Sequence, residues 1–220
     1  MTNPLFVEHF KFFADVLFEN FGPKVKTWIT MNEPFNFCTQ GYGTSAVWAP
    51  AIHSPGVGEY LCGHYMIIAH AAVYHLYREK YFKSQRGSVG ITLDSRFYYS
   101  NSSLSKEELH RAQDYRLGWF AHPIFSETGG YPEVMTNEIE EVCKLEGRAF
   151  SRLPRMDDKT KLLVKGSSDF LGLNYYTSRI LEVDKTKRSF RDPPAWFKDS
   201  KSVMKVDPSW KRGQSEWVNL

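Results

Sequence analysis

Hydrophobic positions along this chain change period several times, and those changes mark out its elements. Between Pro4 and Asn20, Leu5, Phe6, Phe10, Phe13, Val16 and Leu17 recur at helical spacing, with Phe21 just beyond. Pro4 suits a first turn, and Gly22-Pro23 supplies a stop. Val25 to Met31 is β-rich and bounded by Pro34, so it reads as a buried strand. Glu59 to Phe82 reads as a long amphipathic helix, with Leu61, Tyr65, Ile68, Ala72 and Leu76 on one side. After a turn around Gly87, Ser88 to Leu93 is a second strand, and Asp169 to Tyr175 is a third. Between those two lie helical segments near 105–118, 134–146 and 157–165, the last opening at Asp157-Asp158 and stopping at Gly166.

This order predicts an α/β protein with parallel strands. The strands lack polar alternation, the pattern of strands covered on both faces. Three parallel strands leave two edges with unpaired backbone groups and apolar faces, so neighbouring strands are expected outside this chain or from a partner. From about Thr186 onward the sequence is rich in Lys, Asp, Ser and Pro with scattered tryptophans. Residues 186–220 therefore read as a long loop that packs over a site or frays.

Composition changes this picture only in places. A chain of 220 residues can bury one sizeable core, as one domain or as most of a larger one. Aromatics make up 15%, which first means core filling but also suits stacking on sugar faces. The net charge of +3 is small, and the densest basic run, Lys185, Lys187, Arg188 and Arg191, reads as a solvated loop. No nucleic-acid partner is expected from it. No apolar run is long enough to span a bilayer, so no membrane partner is expected either.

The start, Met1-Thr2-Asn3-Pro4, has no signal-peptide layout. Asn101-Ser102-Ser103 is a glycosylation sequon that matters only on a secreted chain, so the compartment stays open. Cys38, Cys62 and Cys143 are odd in number and lack CxxC spacing. They read as buried thiols, with a Cys38–Cys62 pair as the alternative in an oxidising compartment. His64, His70 and His75 share a helix at intervals of six and five, which does not align them as i, i+4 metal ligands. They read as core or hydrogen-bonding histidines, and no metal or cofactor is expected.

One segment carries chemistry. Trp28-Ile29-Thr30-Met31-Asn32-Glu33-Pro34 places a polar pair at the C-terminal end of a strand, the rim where parallel barrels build active sites. Pro34 ends the ladder by removing a donor. A carboxyl here, shielded by Trp28 and Met31, has the setting of a general acid. Taken alone, the same residues fit a turn cap at Asn32 and an ordinary loop carboxylate at Glu33.

Thr-Met-Asn-Glu-Pro, preceded by Val-Lys-Thr-Trp-Ile, resembles the strand-four signature of the family-1 glycoside hydrolases, the β-glucosidase group, in an animal or insect cast. The Phe-rich helix of Leu5 to Gly22 resembles the helix before that strand. Gly41-Tyr42-Gly43 with Ala49-Pro50 resembles the loop after it. Tyr60-Leu61-Cys62-Gly63-His64 and Ala69-His70-Ala71 are similar to the family's long helix, and Gly90-Ile91-Thr92-Leu93 to strand five. Gly118-Trp119-Phe120 through Tyr131-Pro132 is similar to the segment before strand six, and Phe170 to Thr177 to strand six itself. The matches run in order over roughly residues 3 to 180.

The resemblance implies an incomplete (β/α)8 TIM barrel, strands four to six with their helices, and hydrolysis of a small-molecule β-glycoside with retention, without a cofactor. It assigns Glu33 as the catalytic acid/base. Asn32 would bond the sugar 2-hydroxyl, Asn174 would line the glycone subsite, and Tyr176 would hold the nucleophilic carboxylate. Period-two spacing sets Asn174 and Tyr176 on one side of their strand.

The departures matter too. The family's Gln- and His-bearing first strands have no counterpart before Met1, and neither the Thr-Glu-Asn-Gly nucleophile segment nor the Trp-rich loop after strand eight occurs here. Tyr65 replaces an Asn usual in the long helix, and Ser45 replaces a Gly of the strand-four loop. Asp94 reads as a loop-turn or aglycone-side residue rather than a substitute nucleophile, and Glu127, Glu133 and Glu216 read as loop residues. Little or no turnover is therefore expected of this chain, read as a partial barrel. A non-catalytic carbohydrate-binding or interaction protein derived from a decayed barrel is the alternative, and assembly with a complementary half-barrel a further one. Oligomeric state and sugar preference stay open.

Overall fold

In the computed structural model, which describes residues 1–100, 104–186 and 192–215, the chain opens on helix α1 (Leu5–Phe21). The sequon at 101–103, most of the basic run and Glu216 lie outside the described residues. Asn3 Oδ1 accepts the Leu5 N–H at 2.9 Å, and the helix stops at Gly22. Strand β1 (Thr27–Asn32) leads straight into α2 (Pro34–Tyr42), whose Pro34 sits in the first turn, where its missing N–H costs no helical bond.

The long helix α3 (Gly58–Leu76) continues through a π-helical turn, Tyr77–Tyr81, into α4 (Phe82–Gln85). Strand β2 (Ser88–Ser100) follows, then α5 (Lys106–Gln113), a second π-helical turn (Asp114–Gly118), α6 (Trp119–Phe125), α7 (Glu133–Leu145) and α8 (Asp158–Val164). Ser105 and Glu108 form a reciprocal capping box at α5, and Asp157 caps α8 through the Thr160 N–H at 2.8 Å. Strand β3 (Leu171–Val183), α9 (Trp196–Asp199) and β4 (Ser202–Lys205) complete the described chain.

The sheet order is β1-β2-β3-β4. The first three strands run parallel, as expected from their alternation with helices, and β4 pairs antiparallel with Ile180–Val183. Both β2 and β3 run well past the expected ends at Leu93 and Tyr175. Their extensions pair with each other, Phe97 to Ser100 against Ser178 to Leu181, so each is held by backbone bonds that neither segment reveals by itself. A bulge between Ser95 and Phe97 inserts one extra residue on the β3 side.

The main core lies between the sheet and helices α2, α3, α6 and α7, and its fully buried members include Tyr60, Ile67, Ile91, Tyr115, Trp119 and Met135. Helix α3 is buried almost all round. Its covered positions are Cys62, Gly63, Met66, Ile67, His70 and Val73, whereas the expected stripe of Leu61, Tyr65, Ile68, Ala72 and Leu76 is its less buried side. With neighbours on both flanks, the strongest apolar stripe no longer marks the inward direction. Gly63 permits the closest approach, because a Cβ there would stand 2.5 Å from the Trp119 ring.

Three further expectations are corrected. The strands are not covered on both faces: Ile29, on the side of Gly90 and Asn174 away from the helices, is more than half exposed, and so are Leu173 and Tyr175, which share the side of Ile91 and Leu93 but stand at the sheet edge where β3 has no further strand beside it. Cys38 and Cys62 are not free thiols but form a disulfide, since α2 and α3 bring their Cα atoms to 5.5 Å; Cys143 stays free and buried. Within the stretch expected as a long loop, Trp196–Asp199 is helical and Ser202–Lys205 joins the sheet, drawn in by burial of Trp196 and Asp199.

Candidate active site

At the C-terminal end of β1 the chain makes a sharp turn. Glu33 has φ 52° and ψ 54°, the left-handed region, which a residue without special need avoids at a cost of about 1–3 kcal/mol. Its N–H still bonds Thr92 O at 2.9 Å, so the last rung of the β1–β2 ladder is kept while the backbone turns into α2. The following Pro34 disfavours right-handed helical geometry at Glu33, which explains why the turn takes this form.

The turn brings the Glu33 carboxyl over the strand ends. Asn174 Nδ2 on β3 donates to Glu33 Oε1 at 2.6 Å and to Asn32 Oδ1 at 3.1 Å. Asn36 Nδ2, in the first turn of α2, donates to Glu33 Oε2 at 2.8 Å. Both carboxyl oxygens thus have amide donors, and the side chain is half-buried rather than enclosed. A carboxyl held at a rim in this way is positioned to give and accept a proton at a reacting atom. Trp28 does not shield it as expected but packs edge-on against Phe18 under α1, the ring centroids 5.0 Å apart.

Of the residues singled out from sequence, Asn32, Glu33 and Asn174 meet here. Tyr176 is two residues along β3 and 46% exposed, at the bulge where strict alternation breaks. Asn36 was missed, although its position three residues after Glu33 at a helix start was a usable signal. Asp94 is not in a turn. It lies within β2 as the register partner of Asn174, is 5% exposed, and forms a buried ion pair with Arg116, whose guanidinium lies 4.4 Å from the Phe35 ring centre.

Glu133 begins α7 and lines a separate cleft with Lys144, Arg148 and Phe150. The three helix histidines serve three different partners. His70 Nδ1 lies 2.7 Å from Thr30 Oγ1, His64 Nδ1 2.9 Å from Tyr131 OH, and His75 Nε2 2.8 Å from Leu163 O. Burial lowers the pKa of His64 to about 4 and that of His70 to about 3, so both are neutral struts between elements.

The chain is similar to known proteins over nearly its whole length. Myrosinase 1 of Brevicoryne brassicae is 36% identical over 213 residues, covering 95% of this chain and 44% of the relative. Rat lactase/phlorizin hydrolase is 39% identical over 226 residues, covering 99% of this chain and 11% of the relative. The chain thus spans less than half the length of these curated relatives. Among solved structures, aphid myrosinase superposes with a TM-score of 0.85 at 34% identity, over 99% of this chain and 46% of the other. A rice β-glucosidase, Os3BGlu6, gives a TM-score of 0.87 at 31% identity with the same coverage. A β-glucosidase of the fungus Humicola insolens in complex with glucose gives 0.83 at 27%. The sheet and its helices are part of a TIM barrel of this kind. Since the sequence profile of glycosyl hydrolase family 1 also matches residues 1–220, the chain belongs to that family.

Proposed function

We propose that this chain carries the acid/base half of a retaining β-glycoside hydrolase of the β-glucosidase type. The observation that carries the reading is the Asn174 amide joined to both Asn32 and Glu33 across the ends of two strands. In this reading Glu33 protonates the departing glycosidic oxygen and later takes a proton from water. Asn32 bonds the sugar 2-hydroxyl, a contact that tightens as the ring gains oxocarbenium character. Asn174 lines the glycone subsite, and Tyr176 steadies the nucleophilic carboxylate.

Retaining chemistry needs that second carboxylate about 5–5.5 Å from the first. The sequence contains no Thr-Glu-Asn-Gly segment, and Asp94 on the same rim is engaged by Arg116. The 220 residues by themselves are therefore expected to give little or no turnover. The test is hydrolysis of a chromogenic β-glucoside by this chain, and by a longer polypeptide joining it to a nucleophile strand, each beside Glu33→Gln. In the longer form, Glu33→Gln should lower kcat by about 10²–10⁴. An unchanged kcat would overturn the role of Glu33. Turnover by the short chain that Glu33→Gln abolishes would overturn only the expected inactivity.

A further inference from the structure

Past Asn174, β2 and β3 continue outward beyond the bulge. On the side shared by Asp94 and Asn174 this extension carries Arg96 and Tyr98 from β2 and Arg179 from β3, with Tyr98 and Arg179 directly paired. Arg116 reaches the same place from the π-helical turn after α5 and bonds Asp94. Three guanidinium groups thus gather on one side of the two strands, and of them Arg116 alone pairs with Asp94.

Neither Arg96 nor Arg179 has a carboxylate partner among the described residues. Arg96 donates to the Met204 sulfur at 3.4 Å, a weak acceptor, and Arg179 donates to Thr177 Oγ1 and, at 2.8 Å, to Ser178 O. Burial, and next the neighbouring Arg116, lower the pKa of Arg96 to about 10, a sign of like charges crowded in a poorly solvated place. Arg116 and Tyr98 are more than nine-tenths buried, yet among the described residues Arg116 Nε and Tyr98 OH have no hydrogen-bond partner, and neither does Asp94 Oδ1. Buried donors and unbalanced cations of this kind are costly unless something meets them.

We propose that this cluster receives an oxyanion, a carboxylate, sulfate or phosphate, carried by the leaving group of the glycoside whose bond Glu33 protonates. The proposal rests on the glycosidase reading above. It places the anion on the outward side because the strands lead away from the barrel floor, and the leaving group departs that way. Arg96 and Arg179 supply charged donors to the oxyanion, Tyr98 OH a neutral one, and Asp94 Oδ1 remains an acceptor for a hydroxyl of the same group.

The test is calorimetric binding to the 220-residue chain of phenyl β-glucoside, its 4-sulfonate and inorganic sulfate, repeated with Arg96→Gln, Arg179→Gln and the double variant, each checked by circular dichroism. The sulfonate should bind about tenfold or more tightly than its neutral twin, and the double variant should lose that advantage with the neutral glucoside unaffected. Equal affinity in the unmodified chain, a comparison that needs no variant to fold, would overturn the anion subsite and leave the glycosidase reading standing. So would an advantage that survives the double variant. No binding of any probe would likewise overturn the anion subsite, and the glycosidase reading is decided separately by the Glu33→Gln assay.

Discussion

The helical side of the sheet and its opposite face are built and covered differently: Val89, Ile91 and Leu93 pack under the helices, whereas Ile29, Gly90, Thr92, Gly172 and Asn174 share the other side. On the helical side, the segment around α9 is clasped by a buried polar network. Arg152 forms a two-pronged pair with Asp199 at 2.7 and 2.8 Å, Tyr60 OH donates to Asp199 at 2.8 Å, and Arg152 also donates to Gly56 O at 2.9 Å. Trp196 Nε1 donates to Tyr115 O at 2.9 Å, and its backbone N–H donates to Glu59 at 3.0 Å. On the opposite face, shared by Gly90, Thr92 and Gly172, Ile29 stands open and Asn174 is only partly covered. The aphid and rice structures that superpose on nearly all of this chain are themselves covered to only 46%, so this sheet corresponds to one part of their barrels.

The largest expected break in this contrast comes from Asp199→Ala. It leaves Arg152 buried without its main partner and should lower the unfolding free energy in urea by about 3–5 kcal/mol. A loss below about 1 kcal/mol would mean that the clasp does not hold the outer layer. Next, replacing both Cys38 and Cys62 by Ser opens a loop with a sequence separation of 24 and should cost about 3 kcal/mol.

Acid sharpens the comparison further. His64, depressed by burial to about 4, and His70, to about 3, are refused protons in the fold that the unfolded chain takes up near pH 6.5. Stability should therefore fall as pH drops from 6.5 toward 4. Glu59, raised to about 7 by burial, works the other way, since the folded chain alone holds its proton between about 7 and 4.5. Two histidines outweigh one glutamate, so the net trend is acid loss. His64→Asn should soften that loss by on the order of 3 kcal/mol at pH 4, read from urea midpoints across pH. The smallest effect is expected on the open face, where Ile29→Ser should change stability by no more than about 0.5 kcal/mol. A cost of several kcal/mol there would show that the face is already covered in solution, by a second copy or otherwise.

How far the sequence reaches differs from residue to residue. Glu33, Asn32 and Asn174 were legible because a strand signature and its neighbour are local patterns, and the parallel order followed from alternation of strands with helices. Asn36 escaped because it reads as a plain helix-start residue until the left-handed turn at Glu33 swings the carboxyl back over it. Asp94 was misjudged because the length of β2 depends on a partner strand some eighty residues away. The buried side of α3 is not legible in its stripe because a helix packed on both flanks has no single inward side, and the disulfide was not settled because cysteine spacing says nothing of how two helices pack.

What the sequence determined by itself is the main helices and the three parallel strands, their order, and the carboxyl and amide residues at the tip of β1, since periodicity, caps and a contiguous motif are properties of neighbouring residues. The tertiary structure alone decided which faces are covered, that Cys38 meets Cys62, that α9 is clasped by Arg152, and that three arginines gather beyond Asn174. Each of these joins residues distant in the chain, and burial, charge and distance exist only once those residues have been brought together.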